Sequence, residues 1–447
     1  MIDVLRTFKY RLYPTEEQET VMDGQLRTLC NLYNILRNEK IEKHSSLNSL
    51  RKLALKHRNN THSQAAQNVA SRVNSAFKNY FEGRAKFPKH KKEEKYRSIT
   101  YPQSGFRLEG KIVKRGKRTE LVGKLYVSKI GHVRIFLHRP LEGKVKTVTV
   151  KREADGWYAC FCCEADEPPK KPLWQISPER VAGGDLGLEK FLTLADGSSV
   201  DAPQFLRRME NKIKRLQKAF SKAKKGSKNR QRLGVRLAKV HLHVARQRSN
   251  EQNQVIALLY ANADVLGLEK LQVENMLKNH CLAKSIADAA WSQFIRKAEF
   301  KARVLGKYFI PVDPWGTSQF CWRCLSWAPK QLGDRTHVCP VCGEALPRDQ
   351  NSAKIVEMLI LLWMSYAHGR WVNTPVEQKP LPSLRGQAFV VKREALALRL
   401  GRTSRKITSP KQVVQPKNLR NGWREENSNR SMLQKPCGSA KTVVANI

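Results

Sequence analysis

The stretch "VAGGDLGLEKFLTLADG", residues 181–197, decides the fold because it places an acid inside an apolar strand. Apolar residues and glycines precede Asp185, and the apolar pattern resumes after Gly187. A carboxylate among buried residues loses its hydration, which costs free energy unless a cation or hydrogen bonds compensate. The stretch therefore predicts a strand that carries a functional acid, although a simple turn residue before Gly187 would look the same. Gly183, Gly184 and Gly187 would let a phosphate backbone approach closely, although formation of that turn explains them equally well.

Two further acids stand in comparable positions later in the chain. Glu269 ends the apolar run "ADVLGLE", and Asp349 is the second residue of the segment "RDQNSAKIVEM". Singly, Glu269 could be a surface acid and Asp349 the N-cap of the following helix. Together with Asp185 they would form three converging carboxylates, whose hard oxygen atoms suit Mg²⁺. Two such ions about 4 Å apart would activate water and stabilise the leaving oxygen of a phosphodiester.

Four of the ten cysteines are arranged in two C-x-x-C pairs, "CWRC" at 321–324 and "CPVC" at 339–342. This spacing predicts that four thiolates hold one Zn²⁺ in a closed, structural site with no open position for catalysis. The predicted ligands are Cys321, Cys324, Cys339 and Cys342. His337 could compete as a ligand, but four thiolates already satisfy the ion. The cysteines of the run "YACFCC" are expected to be small core residues without a metal, namely Cys160, Cys162 and Cys163.

The chain carries a large excess of positive charge. It has 83 Lys and Arg residues against 39 Asp and Glu, which gives a formal net charge of +44 at pH 7. Such a chain repels itself unless a polyanion neutralises it, so we expect nucleic acid as its partner rather than a small-molecule substrate. A membrane surface is a poorer candidate, because the sequence shows no basic amphipathic helix with an aromatic face.

Neither a membrane span nor a secretion signal is expected. The longest apolar run, residues 355–366, contains Glu357 and is too short to span a bilayer, so it predicts a buried helix. Residues 1–14 place charges where a signal peptide has an apolar run. We therefore expect the chain to act in the cytoplasm.

Basic residues concentrate in two segments. Residues 206–250 contain 16 Lys or Arg and one acid, with a break at Gly226, which predicts two basic helices joined in a hairpin. Residues 86–95 form the second segment. Both would follow a nucleic-acid backbone, although a solvated basic surface is the plain alternative. The residues predicted to contact nucleic acid are Lys86, Lys89, Lys222, Lys224, Lys225, Lys228, Arg230, Arg232 and Arg236.

The N-terminal part of the chain predicts a small β-barrel with a helical insert. Phe8, Tyr10 and Leu12 alternate on one face of a first strand, and the "TEEQ" that follows resembles a capping box. Helices are expected to about residue 60 and over residues 63–81. Residues 96–164 then contain short alternating runs separated by glycine turns, which predict the remaining strands of the barrel.

The C-terminal part predicts an α/β unit after a proline-rich linker at 167–172. Besides the strand before Asp185, strands are expected at 263–271 and 308–314, with one helix, 282–306, between them. Beyond Trp371 the pattern is weak and 15 basic residues stand against 4 acids, which is typical of a disordered tail.

In these motifs the chain resembles the TnpB (OrfB) family of insertion-sequence proteins, which are RNA-guided DNA nucleases related to compact type V CRISPR effectors. The resemblance covers about residues 1–366. It rests on an ordered set of segments: "FKYRLYPTEEQ", "GRAKFPKHKK", "GGDLGLEKFLTLADG", "VLGLEKLQVENMLKN" and "RDQNSAKI". The chain departs from the family pattern at Leu325, where a Gly usually follows the first C-x-x-C pair, and at Pro347, where an acid is usual.

The resemblance implies an α/β multidomain fold. An RNase H-like RuvC nuclease domain with an inserted zinc ribbon would follow a β-barrel, wedge-like domain that contains a helical insert. The implied boundaries are 1–14 and 96–166 for the barrel, 15–95 for the helical recognition insert, 167–316 and 347–370 for the nuclease domain, 317–346 for the zinc ribbon, and 371–447 for the basic tail.

The resemblance also implies a function. Asp185, Glu269 and Asp349 would be the catalytic triad of a Mg²⁺-dependent endonuclease that belongs to a transposable element. A guide RNA would select the target DNA by base pairing, and cutting would occur beside a short recognition motif, near the nucleoid of a prokaryotic cell.

Two other functions are compatible with parts of the sequence. A guide-RNA-dependent DNA-binding regulator that does not cut would need only the charge and the zinc site. A cut-and-join transposase generally carries its Glu as the third acid, whereas here Glu269 is the second. The intact set of acids favours the nuclease.

Overall fold

The N-terminal part of the protein is built around a seven-stranded antiparallel sheet. The computed structural model describes residues 3–115, 118–331 and 333–370, so the tail predicted to be disordered lies outside the described residues. The strands are β1 (Asp3–Tyr13), β2 (Ser98–Tyr101), β3 (Phe106–Arg115), β4 (Arg118–Val127), β5 (Gly131–Leu137), β6 (Lys144–Glu153) and β7 (Gly156–Asp166). Their order in the sheet is β2-β6-β7-β1-β5-β4-β3.

β1 lies in the middle of this sheet, between β7 and β5. Its alternating residues Phe8, Tyr10 and Leu12 are buried, as their spacing predicts. The prediction that the first strand joins the strands of residues 96–164 is therefore confirmed. Closure of the sheet into a barrel stays a prediction, as do the domain boundaries.

Three helices form the connection between β1 and β2. They are α1 (Glu16–Lys43), α2 (Leu47–Lys56) and α3 (Ser63–Phe81), and they share one core with the sheet. The predicted capping box begins α1, since the Gln18 N–H donates to Thr15 Oγ1 at 3.3 Å and the Thr15 N–H donates to Gln18 Oε1 at 3.2 Å. The helical region expected to about residue 60 consists of two helices, α1 and α2. The break between them occurs where His44 takes a left-handed conformation (φ 49°) and Ser46 caps α2.

The second sheet has five strands and carries two of the predicted acids. The strands are β8 (Val181–Asp185), β9 (Lys190–Leu194), β10 (Ser199–Asp201), β11 (Val265–Glu269) and β12 (Tyr308–Val312), in the order β10-β9-β8-β11-β12. β8, β11 and β12 are parallel neighbours, whereas β9 and β10 are antiparallel. Every residue of β11 is buried, which explains its unbroken apolar sequence. The predicted strands are thus confirmed, and Asp185 and Glu269 are the last residues of β8 and β11.

Five helices connect the strands of this sheet: α4 (Phe205–Lys222), α5 (Lys228–Asn262), α6 (Val273–Met276), α7 (Ala283–Ala289) and α8 (Trp291–Leu305). The predicted break at Gly226 is confirmed, although α5 continues past residue 250. The prediction of a single helix over 282–306 is wrong, because Ala290 takes a left-handed conformation (φ 53°) between α7 and α8. Asp288, at the end of α7, accepts the Leu206 N–H at 3.0 Å and so ties this break to the start of α4.

The last described helix, α9 (Arg348–Arg370), follows a two-stranded ribbon of β13 (Thr336–Val338) and β14 (Ala345–Pro347). It packs on β8 and β11 at two glycines. A Cβ on Gly183 would lie 2.5 Å from the Ala353 carbonyl oxygen, and a Cβ on Gly267 would overlap Ile360 Cδ1. Only glycine permits this approach. Gly183 therefore serves the packing of a helix on a strand, and not the approach of a phosphate.

The apolar run at 355–366 lies within α9, as predicted, and its first half is buried, whereas Ser365 and Tyr366 at its end are exposed. Ile355, Val356, Leu359 and Ile360 are at most 2% exposed. Among the residues that the structure describes, no helix combines the length and the apolar character that a membrane crossing requires.

We predict that Gly183→Ala destabilises the protein, because the added methyl group must push α9 away from β8. Overpacking of this kind costs about 1–3 kcal/mol, and the midpoint of thermal unfolding should fall by several degrees. Gly24→Ala is the matched control: a Cβ there meets nothing within 4 Å, and alanine stabilises a helix interior by about 1 kcal/mol. Equal unfolding midpoints for the two variants would contradict the packing role.

Candidate active site and metal centre

The three predicted acids meet at one edge of the second sheet. Leu268 pairs with Gly184 in the parallel ladder of β8 and β11, so the next residues, Asp185 and Glu269, end neighbouring strands at the same level. The first turn of α9 supplies the third acid. A Cβ built on Gly187 would lie 3.7 Å from Asp349 Oδ2, so that carboxylate borders the loop after β8.

Burial and nearby negative charge oppose the ionisation of Asp185 and Glu269. Burial, and then the charges of Glu269 and Asp349, raise the pKa of Asp185 well above its usual range, against a smaller opposing effect of Arg348. Burial raises the pKa of Glu269 to about 7, with a further contribution from Asp349 and an opposing one from the Thr317 hydroxyl. Both shifts go in the direction that loss of hydration and neighbouring carboxylates produce.

The arrangement fits hard divalent cations. All three side chains offer carboxylate oxygens, which Mg²⁺ prefers, and a cation among them would supply the missing positive charge. The acids are not in tight contact: among the described residues, the one group of three or more metal-binding side chains whose ligand atoms all lie within 4.8 Å is formed by cysteines. Wider spacing is expected for like charges, which repel each other.

That cysteine group is the predicted one, formed by Cys321, Cys324, Cys339 and Cys342. The Sγ atoms of Cys321 and Cys342 are 3.7 Å apart, and those of Cys324 and Cys339 are 3.4 Å apart. Four thiolates at about 2.3 Å from a tetrahedral Zn²⁺ would be about 3.8 Å from one another. The cluster therefore has the size of a structural zinc site.

The other predicted metal candidates stay outside this cluster. His337 is fully buried on β13, and its two ring nitrogens have no hydrogen-bond partner among the described atoms, but the histidine is not part of the tight group. Cys160, Cys162 and Cys163 lie on β7, where Cys163 is fully buried and the other two are half-buried. These three positions agree with small residues of a sheet.

Eight of the nine basic residues predicted to contact nucleic acid are solvent-exposed. Arg230 is the exception. Its guanidinium donates to the carbonyl oxygens of Phe220 at 2.6 Å and Ala223 at 2.9 Å, and lies 4.1 Å from the centroid of the Phe220 ring. These contacts join the end of α4 to the start of α5. Arg230 thus has a role in the hairpin itself, while contact of all nine residues with nucleic acid stays a prediction.

Comparisons with known proteins agree with these features. Three family models match: a "Probable transposase" model at residues 160–280, a "Cas12f1-like, TNB domain" at 291–356, and a "Helix-turn-helix domain" of the same transposase group at 1–45. A Streptomyces pristinaespiralis protein named "Putative RNA-guided DNA endonuclease" is 28% identical over 375 residues, which cover 79% of this chain and 89% of that protein. The "Putative RNA-guided DNA endonuclease InsQ" of Escherichia coli (strain K12) is 27% identical over 417 residues, 86% of this chain and 99% of the relative.

By these matches the chain is similar to proteins of the TnpB/OrfB family. A solved structure described as the Cas12f1-sgRNA-target DNA complex matches with a TM-score of 0.52 at 12% identity, over 79% of this chain and 99% of that chain. At this identity the likeness shows that this chain and Cas12f1 share a fold.

The departure from the TnpB/OrfB pattern at Leu325 has a visible consequence. Leu325 takes a left-handed conformation, with φ of 59°, and Gly343 takes a similar one, with φ of 71°, after the second C-x-x-C pair. A side chain in this region costs about 1–2 kcal/mol, which explains why a Gly is usual there in the family. In this chain Leu325 packs beside the core that α9 shares with β11 and β12, and this contact offsets part of the strain.

Two residues at this site were missed by the sequence analysis. The Thr317 hydroxyl donates to Glu269 Oε1 at 2.6 Å, and the Asn351 side chain bonds to the backbone before and within the first C-x-x-C pair. Their partners lie 48 and about 30 residues away, so no local pattern reveals them. Only the fold shows that Thr317 bonds to Glu269 and that Asn351 bonds to the backbone near the first C-x-x-C pair.

We predict that Cys342→Ser lowers the zinc content of the purified full-length protein from about one ion per chain to well below one, because a closed site needs all four thiolates. Elemental analysis after dialysis measures this content. Cys281→Ser is the matched control, since Cys281 is exposed and lies outside the cluster. A full complement of zinc in Cys342→Ser would contradict the assignment of the cluster.

Proposed function

We propose that the chain is an RNA-guided DNA endonuclease whose site for phosphodiester hydrolysis consists of Asp185, Glu269 and Asp349. The observation that carries this proposal is the meeting of three acids from distant parts of the sequence at the carboxyl edge of one buried sheet. Relatives that align with most of the chain are named RNA-guided DNA endonucleases, which supports guide RNA and target DNA as the partners.

The chain's own residues hold and orient divalent cations in this mechanism. Asp185 and Glu269 are fixed by two paired strands, and Asp349 is fixed by the packing of α9 on β8. Bound cations would offset the cost of bringing three carboxylates together, so the site would favour a divalent ion. When bound, Mg²⁺ supplies an activated water and stabilises the charge on the leaving oxygen. The hard carboxylate set and the raised pKa of Asp185 support this assignment.

The remaining parts of the chain are assigned to substrate binding and structure. The first sheet, as a barrel-like wedge, and helices α1–α3 would hold the guide RNA and the guide–target duplex. The second sheet with α9 would form the RuvC-like nuclease domain. The four cysteines would bind one Zn²⁺ and form a zinc ribbon. Base pairing would select the sequence while the protein contacts backbone, which suits the exposed lysines. We place this activity in the cytoplasm of a prokaryotic cell, where the nucleoid is accessible.

We predict that Asp185→Ala, Glu269→Gln and Asp349→Asn each abolish cleavage of a plasmid that matches the guide, while binding of guide RNA and target DNA is retained. Each substitution removes one carboxylate from the cation site. EDTA, which removes the divalent cations themselves, should likewise abolish cleavage by the unaltered protein. The RNA that copurifies with the protein defines the guide for this assay.

Asp201→Asn is the matched control, because Asp201 is 81% exposed and pairs with Lys190. It should cut at the rate of the unaltered protein. Unchanged cleavage by Asp185→Ala would remove the nuclease assignment. Guide-dependent binding without any cutting by the unaltered protein would instead favour the silent regulator.

We predict that replacing Lys224, Lys225 and Lys228 together by Gln weakens binding of guide RNA to a similar extent for different guide sequences. Each phosphate contact contributes about 0.7–0.9 to the slope of log affinity against log salt, so the slope should decrease by about 2–3 in magnitude. A control variant replaces Lys43, Lys190 and Arg335 by Gln, because each of these already pairs with an acid. If the salt-dependence slope is the same in the hairpin variant and in the control variant, the hairpin is only a solvated surface and does not contact guide RNA.

A further inference from the structure

A buried threonine is directed at one of the candidate catalytic acids. Thr317 is 2% exposed and Glu269 is 8% exposed. The Thr317 hydroxyl lies 2.6 Å from Glu269 Oε1 and 3.0 Å from the Pro314 carbonyl oxygen. The hydroxyl has one proton, so it donates to one of the two oxygens at a time. The shorter distance and the charge of the carboxylate favour donation to Glu269.

The loop after β12 places this hydroxyl over the end of β11. The Lys270 N–H donates to the Val312 carbonyl oxygen at 2.8 Å, so the two strand ends are held side by side. The chain then reverses: the Trp315 N–H donates to Asp313 Oδ1 at 2.9 Å, and Gly316 takes a positive φ of 76°. The next residue is Thr317. Its position is therefore set by the backbone of the loop and does not depend on a flexible side chain.

The same loop is held at its other end by the helix that carries Asp349. Asn351 is fully buried in the first turn of α9. Its Nδ2 donates to the Phe320 carbonyl oxygen at 2.7 Å, and its Oδ1 accepts the Trp322 N–H at 3.1 Å. These bonds fix the segment that leads into the cysteine cluster. The loop thus contacts Glu269 through the Thr317 side chain, and the Asn351 side chain of α9 bonds to the loop backbone.

We propose that Thr317 is a positioning residue, whose hydroxyl orients the Glu269 carboxylate toward the cation site from a loop that Asn351 fixes to α9. This inference rests on the proposed function. A hydrogen bond to Oε1 restricts rotation of the carboxylate and leaves Oε2 in a set direction. Because Thr is β-branched, its hydroxyl has few rotamers, which sharpens that direction. Partners of metal ligands typically change metal affinity or activity 10- to 100-fold when they are removed.

Thr317→Val and Thr317→Ser separate positioning from packing. Valine keeps the shape and loses the hydroxyl, whereas serine keeps the hydroxyl and loses a methyl group. Thr61→Val is the matched control, since Thr61 is 4% exposed and its hydroxyl donates only to the Arg58 carbonyl oxygen, at 2.6 Å. Mn²⁺ binding to the full-length protein, followed by electron paramagnetic resonance and by the Mn²⁺-dependent shift in unfolding temperature, reports on the site without a cleavage assay. Asp185→Ala supplies the background for Mn²⁺ bound elsewhere.

We expect Thr317→Val to weaken site-specific Mn²⁺ binding and to slow guided DNA cleavage, each about 10-fold or more. Thr317→Ser should stay within about threefold of the unaltered protein, and Thr61→Val should bind Mn²⁺ and cut normally even where its unfolding temperature falls. The proposal is overturned if Thr317→Val binds Mn²⁺ and cuts as the Thr61→Val control does. It is also overturned if Thr317→Ser is as defective as Thr317→Val, because shape alone would then explain both.

The same series distinguishes this proposal from the proposed function. If Asp185→Ala leaves both Mn²⁺ binding and cleavage unchanged, the acids are not the cation site and both proposals fail. If Asp185→Ala abolishes both while Thr317→Val changes neither, the nuclease site stands and only the positioning role fails.

Discussion

The close packing of α9 on β8 and β11 is the constraint on which the candidate site depends. Asp185 and Glu269 need only the pairing of two parallel strands to lie side by side. Asp349 arrives from a segment that lies 80 residues further along the chain than Glu269, and it reaches the same edge because Gly183 and Gly267 let the helix touch the sheet. The ribbon of cysteines stands directly before this helix, and Asn351 joins the two. The cysteine cluster and the acids are therefore parts of one continuous structure.

The site concentrates charge that the fold alone does not stabilise. Burial raises the pKa of Asp185 and Glu269, and neighbouring carboxylates raise both pKa values further. A protein selected only for stability would place apolar residues there. The presence of three acids at one edge despite this cost is what a cation-binding site requires, and the large positive charge of the chain suits the polyanion on which such cations would act.

Much of this arrangement could be predicted from the sequence. Strand alternation, the glycine-flanked acid and the paired C-x-x-C spacing each have a local physical cause, and the structure confirms the strands and the cysteine group. Long-range features could not be predicted. The helix expected over 282–306 is divided at Ala290, where Asp288 caps a helix some 80 residues away. The role of Gly183 depends on a contact with Ala353, and the bond between Thr317 and Glu269 joins a loop to the end of β11, 48 residues away in the sequence. The tail and the barrel closure stay predictions.

The central claim is that Asp185, Glu269 and Asp349 share divalent cations. Anomalous scattering from Mn²⁺, in crystals of the full-length protein with its copurifying RNA, would locate those ions directly. We expect ions at about 2–2.2 Å from carboxylate oxygens of all three residues. Ordered Mn²⁺ bound elsewhere, with the three carboxylates turned apart and free of metal, would contradict the claim.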